Sequence, residues 1–142
     1  MYDLWRLTDY LVTRPDVQAN RLGMIGISMG GIETWMAASV DKRIKVAVPV
    51  IAAQSFKWSL ENNTWQGRAG TIWKVHEQAA RDLGDSVVTK ENVKLVWTKL
   101  IPGITEEFDC PSMIRLFAPR PLLLLNNEKD QNCPLQGAQL VF

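Results

Sequence analysis

The chain has 142 residues, 46% of them hydrophobic and 22% charged, with a net charge of +1, the make-up of one soluble globular domain and not of a disordered segment. Its Lys, Arg, Asp and Glu residues are interspersed, which excludes a basic patch for nucleic acid and a polybasic membrane anchor. The longest apolar stretch, 46–53, falls far short of the roughly 20 residues that cross a bilayer, and the first residues carry no basic region, apolar core and cleavage site of a secretion signal.

Leu4, Trp5, Leu7 and Leu11 recur at helical spacing and predict a short amphipathic helix that ends before Pro15, in the turn Arg14-Pro15-Asp16. Residues 22–27 read as a first buried strand, and its apolar run leads into Gly26-Ile27-Ser28-Met29-Gly30-Gly31. That is the pattern of a nucleophile elbow, a serine on a strained turn between strand and helix. Small residues are needed on both sides of such a serine. Gly26 and Gly30, with Gly31 beside them, are expected to let strand and helix approach closely while Ser28 projects its hydroxyl above the sheet. The N–H of Met29, the residue after the nucleophile, would supply half of an oxyanion hole. The alternative is a structural Gly-rich turn with no chemistry.

A helix-like run over 32–40 follows and stops near Asp41-Lys42-Arg43. Residues 44–51 predict a second, parallel strand with Pro49 near its end, where a missing N–H does least harm. Strand, helix and strand make a right-handed βαβ unit. From 54 to 118 the strand signal disappears, which predicts a helical insertion. Trp65, Ala69, Ile72, Trp73, His76, Ala80 and Leu83 repeat at three and four, predicting one amphipathic helix with Gly84 at its C-terminal end. Thr89 is placed to cap a second helix carrying Val93, Val96, Trp97 and Leu100, closed by Pro102-Gly103, and 111–117 predicts a short third. Trp58, Trp65, Trp73 and Trp97 either line a cap over an active-site mouth or, more plainly, form the insertion's own core. Residues 121–126 predict a third strand, and Pro134 opens a last helix at its first turn.

Asp130 lies in the loop leaving the C-terminal end of that third strand. Ligands and catalytic groups collect at such strand ends in open α/β sheets, so Ser28 and Asp130 would share one edge. An acid there can orient a histidine through its Nδ1–H. An exposed turn aspartate, or a cap for the helix at Pro134, fits the position equally well. Glu128 is the weaker candidate for the same role. Cys110 and Cys133, without a secretory context, read as free thiols and favour a cytoplasmic or organellar compartment. With one histidine, His76, and no second ligand at zinc-like spacing, no metal site is expected.

Three segments together resemble the α/β-hydrolase superfamily, in its acetyl xylan esterase-like, dienelactone hydrolase-like and prolyl oligopeptidase-like branch. They are Arg21-Leu-Gly-Met-Ile-Gly-Ile-Ser-Met-Gly-Gly31, Asp41-Lys-Arg-Ile-Lys-Val-Ala-Val-Pro49, and Ala118-Pro-Arg-Pro-Leu-Leu-Leu-Leu-Asn126 running on to Asp130 and Pro134. The resemblance implies that residues 1–142 form a partial α/β-hydrolase domain, about three parallel strands with flanking helices and a helical insertion at about 54–118. It implies Ser28 as nucleophile, Met29 as an oxyanion N–H and Asp130 as the triad acid, with no cofactor.

In that family the triad histidine follows the acid after one more strand, and no histidine follows Asp130 here. His76 falls in the helical insertion, in line with Trp73 and Ala80, and reads as a packing or surface histidine and not as a base. The expectation is therefore a fragment: the N-terminal half of the sheet and the C-terminal strand with the catalytic histidine are absent. As a serine hydrolase its full-length form would act on a small-molecule ester or peptide by acyl transfer, this chain alone being inactive. The alternative is a non-catalytic truncated isoform or pseudoenzyme acting as an interaction module, or an incomplete gene model. An exposed sheet edge would invite self-association.

Overall fold

The computed structural model describes residues 1–142 as an α/β fold. Its elements are α1 (Tyr2–Leu11), β1 (Leu22–Ile27), α2 (Met29–Val40), β2 (Ile44–Val50), α3 (Phe56–Glu61), α4 (Gln66–Gly70), α5 (Trp73–Asp82), α6 (Lys90–Leu100), α7 (Cys110–Ile114) and α8 (Leu135–Ala138). Short 3-10 turns, Arg115–Phe117 and Gln139–Val141, follow α7 and α8. No helix is long and apolar enough to cross a membrane.

β1 and β2 pair in parallel, from Leu22 opposite Ile44 to Ile27 opposite Val50. The expected third strand over 121–126 runs parallel beside β2 but forms only two isolated bridges, at Ala47–Leu122 and Val50–Leu125. Its backbone bonds give the reason. The Ala47 N–H donates to the Pro121 carbonyl, Leu123 N–H to Ala47, Leu125 N–H to Pro49 and Ile51 N–H to Leu125. A parallel ladder needs one more bond, from the residue 49 N–H to the Leu123 carbonyl, and a proline has no N–H to give. Pro49 does not therefore sit harmlessly near the strand's end; it faces the third segment and splits the ladder in two.

α2 packs on β1 and β2, and α7 packs on α2. Its residues Thr34–Ser39 are all buried, as expected of a helix covered on most sides. Trp35, 1% exposed, is the centre of the main core, which joins α2 to Phe56, Trp65, Val93, Trp97, Ile104 and Met113. Phe56 and Trp97 meet edge to face, with ring centroids 5.2 Å apart. Of the four tryptophans of the insertion, Trp65 and Trp97 belong to this core while Trp73 is exposed. α1 is held from the other side by Arg43, which pairs with Asp9 at 2.6 Å and Asp41 at 2.7 Å. On the sheet face away from α2, Ile25 and Ile27 are exposed.

The single helix expected from Trp65 to Leu83 is two. α4 ends at Gly70, and Ile72 leaves the helical region with φ −131° and ψ 36° before α5 begins. Gly67 and Gly70 weaken this stretch, since each glycine costs about 1 kcal/mol of helix propensity against alanine. The end of α5 is as expected: Gly84 at φ +83° closes a Schellman motif, its N–H bonded to Arg81 and that of Asp85 to Ala80. Thr89 caps α6 and shares a reciprocal capping box with Asn92. Pro134 precedes α8 as its N-cap, and the helix itself is four residues long.

Candidate active site

Ser28 stands between β1 and α2 with φ 55° and ψ −114°, a conformation that residues with a side chain rarely hold. The surrounding backbone fixes it there. Its N–H donates to the Val50 carbonyl at 2.9 Å, and its own carbonyl accepts from Gly31 and Ile32 at 3.0 Å each. The side chain makes no capping bond and Ser28 is exposed. Met29 opens α2, so its N–H is among the amides that a helix start leaves without an intrahelical partner.

The glycines divide the work differently from the expectation. A Cβ on Gly26 would run into the Gly30 carbonyl and come within 2.7 Å of Thr34 Oγ1. One on Gly31 would lie 2.5 Å from Ala52 Cβ and 2.9 Å from the Val50 carbonyl. One on Gly30 would meet nothing within 4 Å. The strand–helix contact is thus made by Gly26 and Gly31, and Gly30 contributes its carbonyl, which also accepts from Thr34 Oγ1 at 2.7 Å.

Asp130 follows the third strand segment, so it and Ser28 lie at the C-terminal edge of the same parallel arrangement, with β2 between them. Asp130 Oδ1 accepts from the N–H groups of Asn132 at 2.7 Å and Cys133 at 3.1 Å, a turn of the kind short acids make, while Oδ2 has no protein partner. The loop forms one wall of an open cleft of about 440 Å³ whose other wall is Thr64, Gln66 and Gly67. Glu128 is exposed in the same loop.

His76 lies in α5, which packs on α6 and α4. It is 0% exposed, and both ring nitrogens lack a partner. Burial alone pulls its pKa below the ordinary histidine value, so the ring is a neutral packing group. No set of three or more His, Cys, Asp or Glu side chains is arranged to hold a metal ion. Cys110 and Cys133 are both free and buried. Desolvation pushes the Cys110 thiol up to about 12.

Sequence reasoning missed one buried acid and one strained corner. Asp109, 4% exposed, accepts from Ser55 Oγ at 2.6 Å, the N–H groups of Phe56 at 2.8 Å and Lys57 at 3.1 Å, and its neighbour Cys110 N–H at 2.8 Å. It thereby caps α3 and α7 together. The Asp-Cys-Pro run, a cap followed by proline in the first turn, was the available signal for α7. The corner is Ile51, a β-branched residue at φ 45°, for which the sequence carries no signal.

Residues 7–138 match the family described as BAAT / Acyl-CoA thioester hydrolase C terminal. Over 141 residues the chain is 28% identical to YtaP of Bacillus subtilis (strain 168), named as a hydrolase, and it spans 38% of that protein's length. Two structures of a glucuronoyl esterase from Solibacter usitatus share the fold, with TM-scores of 0.56 and 0.59 at 18% identity. The chain covers 32% of each of them.

Proposed function

This chain belongs to the BAAT / acyl-CoA thioester hydrolase C-terminal family of α/β hydrolases, and from that premise we propose that it carries the nucleophile and acid of a serine hydrolase that cleaves an ester or amide by acyl transfer. Ser28 attacks the carbonyl carbon, the Met29 N–H holds part of the charge that develops on its oxygen, and Asp130 orients a histidine. That histidine takes the Ser28 proton and returns it to the leaving group. It comes from outside these residues, because His76 is buried in α5 with no polar partner. The relatives' printed names, a hydrolase and a glucuronoyl esterase, make a carboxylic ester the first substrate class to try.

The observation that carries the reading is the backbone of Ser28. An exposed non-glycine residue held at φ 55° by bonds to Val50, Gly31 and Ile32, with no capping bond from its side chain, is the geometry an elbow serine needs. The test is labelling by a fluorophosphonate probe and turnover of p-nitrophenyl acetate, in the whole encoded protein and in this chain alone. The whole protein reacts at Ser28 and this chain does so negligibly. Absence of Ser28-dependent labelling from the whole protein would favour a second reading, a non-catalytic interaction module, which rests on the burial of the one histidine here.

A further inference from the structure

Four consecutive residues at the end of β2 tie the elbow to the acid loop. The Val50 carbonyl accepts from the Ser28 N–H at 2.9 Å, and the Ile51 N–H donates to Leu125 at 2.6 Å. The Ile51 carbonyl accepts from Cys133 Sγ at 3.1 Å. The Ala52 carbonyl accepts from Trp35 Nε1 at 3.3 Å and Arg68 Nη2 at 3.4 Å, and that of Ala53 accepts from Asn126 Nδ2 at 2.9 Å. In a regular strand, alternate carbonyls point to opposite neighbours. The carbonyls of Pro49, Val50 and Ile51 keep to that rule, facing Leu125, Ser28 and the Cys133 thiol in turn, and Ile51 itself sits at φ 45°, where a β-branched residue is rare.

On the loop side, one residue does two things. The Cys133 N–H is a donor to Asp130 Oδ1, and the Cys133 side chain is the group anchored on Ile51. Arg68 Nη2 donates to Cys133 Sγ at 3.4 Å from the other side. Arg68 is 8% exposed, its guanidinium lies 4.4 Å over the Phe56 ring, and no carboxylate pairs with it. A buried cation without a counter-ion is costly. Gly67, the residue before it, touches the loop so closely that a Cβ there would collide with Asn132 Oδ1.

We propose that Cys133 and Arg68 are positioning residues: the Cys133 thiol latches the loop that carries Asp130 to the Ile51 carbonyl, and the Arg68 guanidinium holds the thiol in that orientation. The inference rests on the serine-hydrolase reading and deepens it. It gives the acid a fixed distance from the nucleophile, because both then hang on adjacent peptides of one corner. Burial raises the Cys133 pKa, so at neutral pH the group is an S–H donor and not a thiolate. The simpler role, a cysteine that merely fills space, needs no donor at all.

The experiment compares Cys133→Ala, Cys133→Ser and Arg68→Met in the whole encoded protein, each alone and combined with Asp130→Asn, with p-nitrophenyl acetate as substrate and Ser28→Ala as control. A small misplacement of a reacting group can cost about 100-fold, and for a loop loosened but not lost we expect kcat to fall about tenfold in Cys133→Ala and Arg68→Met, with KM little changed. Cys133→Ser, which keeps a donor, retains most of the rate. Combined with Asp130→Asn, neither variant costs anything further, because both act through that carboxylate. Full kcat in Cys133→Ala, serine behaving as alanine, or losses that multiply with Asp130→Asn overturns the latch. Should Cys133→Ala fail to fold, Arg68→Met, which keeps an apolar stem over Phe56, decides by the same criteria. If the wild-type rate does not depend on Ser28, the serine reading itself fails and the latch falls with it; if it does and the latch variants are silent, only the latch falls.

Discussion

Around Ser28 the geometry is made of main chain. Two glycines that admit close contact, a helix start and bonds to Val50, Gly31 and Ile32 hold the serine, and no side chain from a distant segment is needed. Around Asp130, and in the insertion beneath it, the geometry is made of buried polar side chains that reach across the fold: Cys133 to Ile51, Arg68 to Ala52 and Cys133, Asp109 to Ser55 and Phe56. A site half made each way should respond to mutation in two ways. Removing the Ser28 hydroxyl should cost chemistry and no stability, and removing a buried polar group on the insertion side should cost stability first.

The largest effect expected is at the elbow and is purely chemical. Ser28→Ala in the whole protein should reduce p-nitrophenyl acetate turnover by about 10³-fold or more. The melting temperature should not fall, since the hydroxyl makes no capping bond that alanine would lose. Ser28→Gly should go further and raise it, because strain at such a φ costs about 1–3 kcal/mol. A Ser28→Ala protein that is markedly less stable would break the comparison, showing that the hydroxyl had a structural partner.

On the other side the corresponding change is Asp109→Ala. It leaves donors of Ser55, Phe56, Lys57 and Cys110 without their acceptor in a site 4% exposed. Each buried donor left unpaired costs about 1–3 kcal/mol, with some recovery through water, so a loss of about 3 kcal/mol or more is expected. Denaturant melts of Asp109→Ala and Asp109→Asn measure it. Asparagine keeps one acceptor and should recover part. A loss below 1 kcal/mol would mean that α3 and α7 do not depend on their shared cap.

Within the elbow, the glycines give a smaller and more local test. Gly26→Ala pushes a methyl group into the Gly30 carbonyl and should cost about 1–3 kcal/mol, as overpacking does. Gly30→Ala meets open space inside the first turn of α2 and should be neutral or stabilise by up to about 1 kcal/mol. Paired thermal melts decide it. Equal penalties would restore the expectation that both glycines make the strand–helix contact.

The same division explains what was readable in the sequence. The elbow is local: an apolar run, then glycines at fixed offsets around a serine, then a helical run, and β1 begins and ends where the pattern places it. Caps are local as well, which is why Thr89 and Gly84 could be assigned. The third strand was legible as an apolar segment, but its pairing was not. That depends on Pro49, more than 70 residues away, facing it across the sheet. Helical periodicity from Trp65 to Leu83 ran on through Gly70 and Ile72, where the backbone leaves the helical region and divides the helix. Asp109 lies 52 to 54 residues from its partners Ser55, Phe56 and Lys57, and Cys133 lies 82 from Ile51. Nothing in a spacing rule reaches that far.

The smallest effect expected lies in α5, where a titrating group is buried without a partner. His76 is fully covered, neither ring nitrogen is bonded, and desolvation lowers its folded-state pKa below 6.5. An unfolded chain takes up the proton near 6.5, whereas the folded chain resists until its lower pKa is reached. Between those values the unfolded state binds more protons, so stability is fully present above about pH 6.5 and is lost as pH falls through the window. The lowered carboxylates, Asp9, Asp41 and Glu77, titrate below 4.5 and leave that window to the histidine. The melting temperature of wild type should therefore decline as pH falls below about 6.5, and that of His76→Leu should decline less over the same range. Leucine carries no ring nitrogens to leave unpaired, so it should be no less stable than wild type at the acid end. Parallel slopes in the two proteins would show that the ring finds a partner when charged. The insertion would then hold its polar groups as completely at α5 as it does at Asp109.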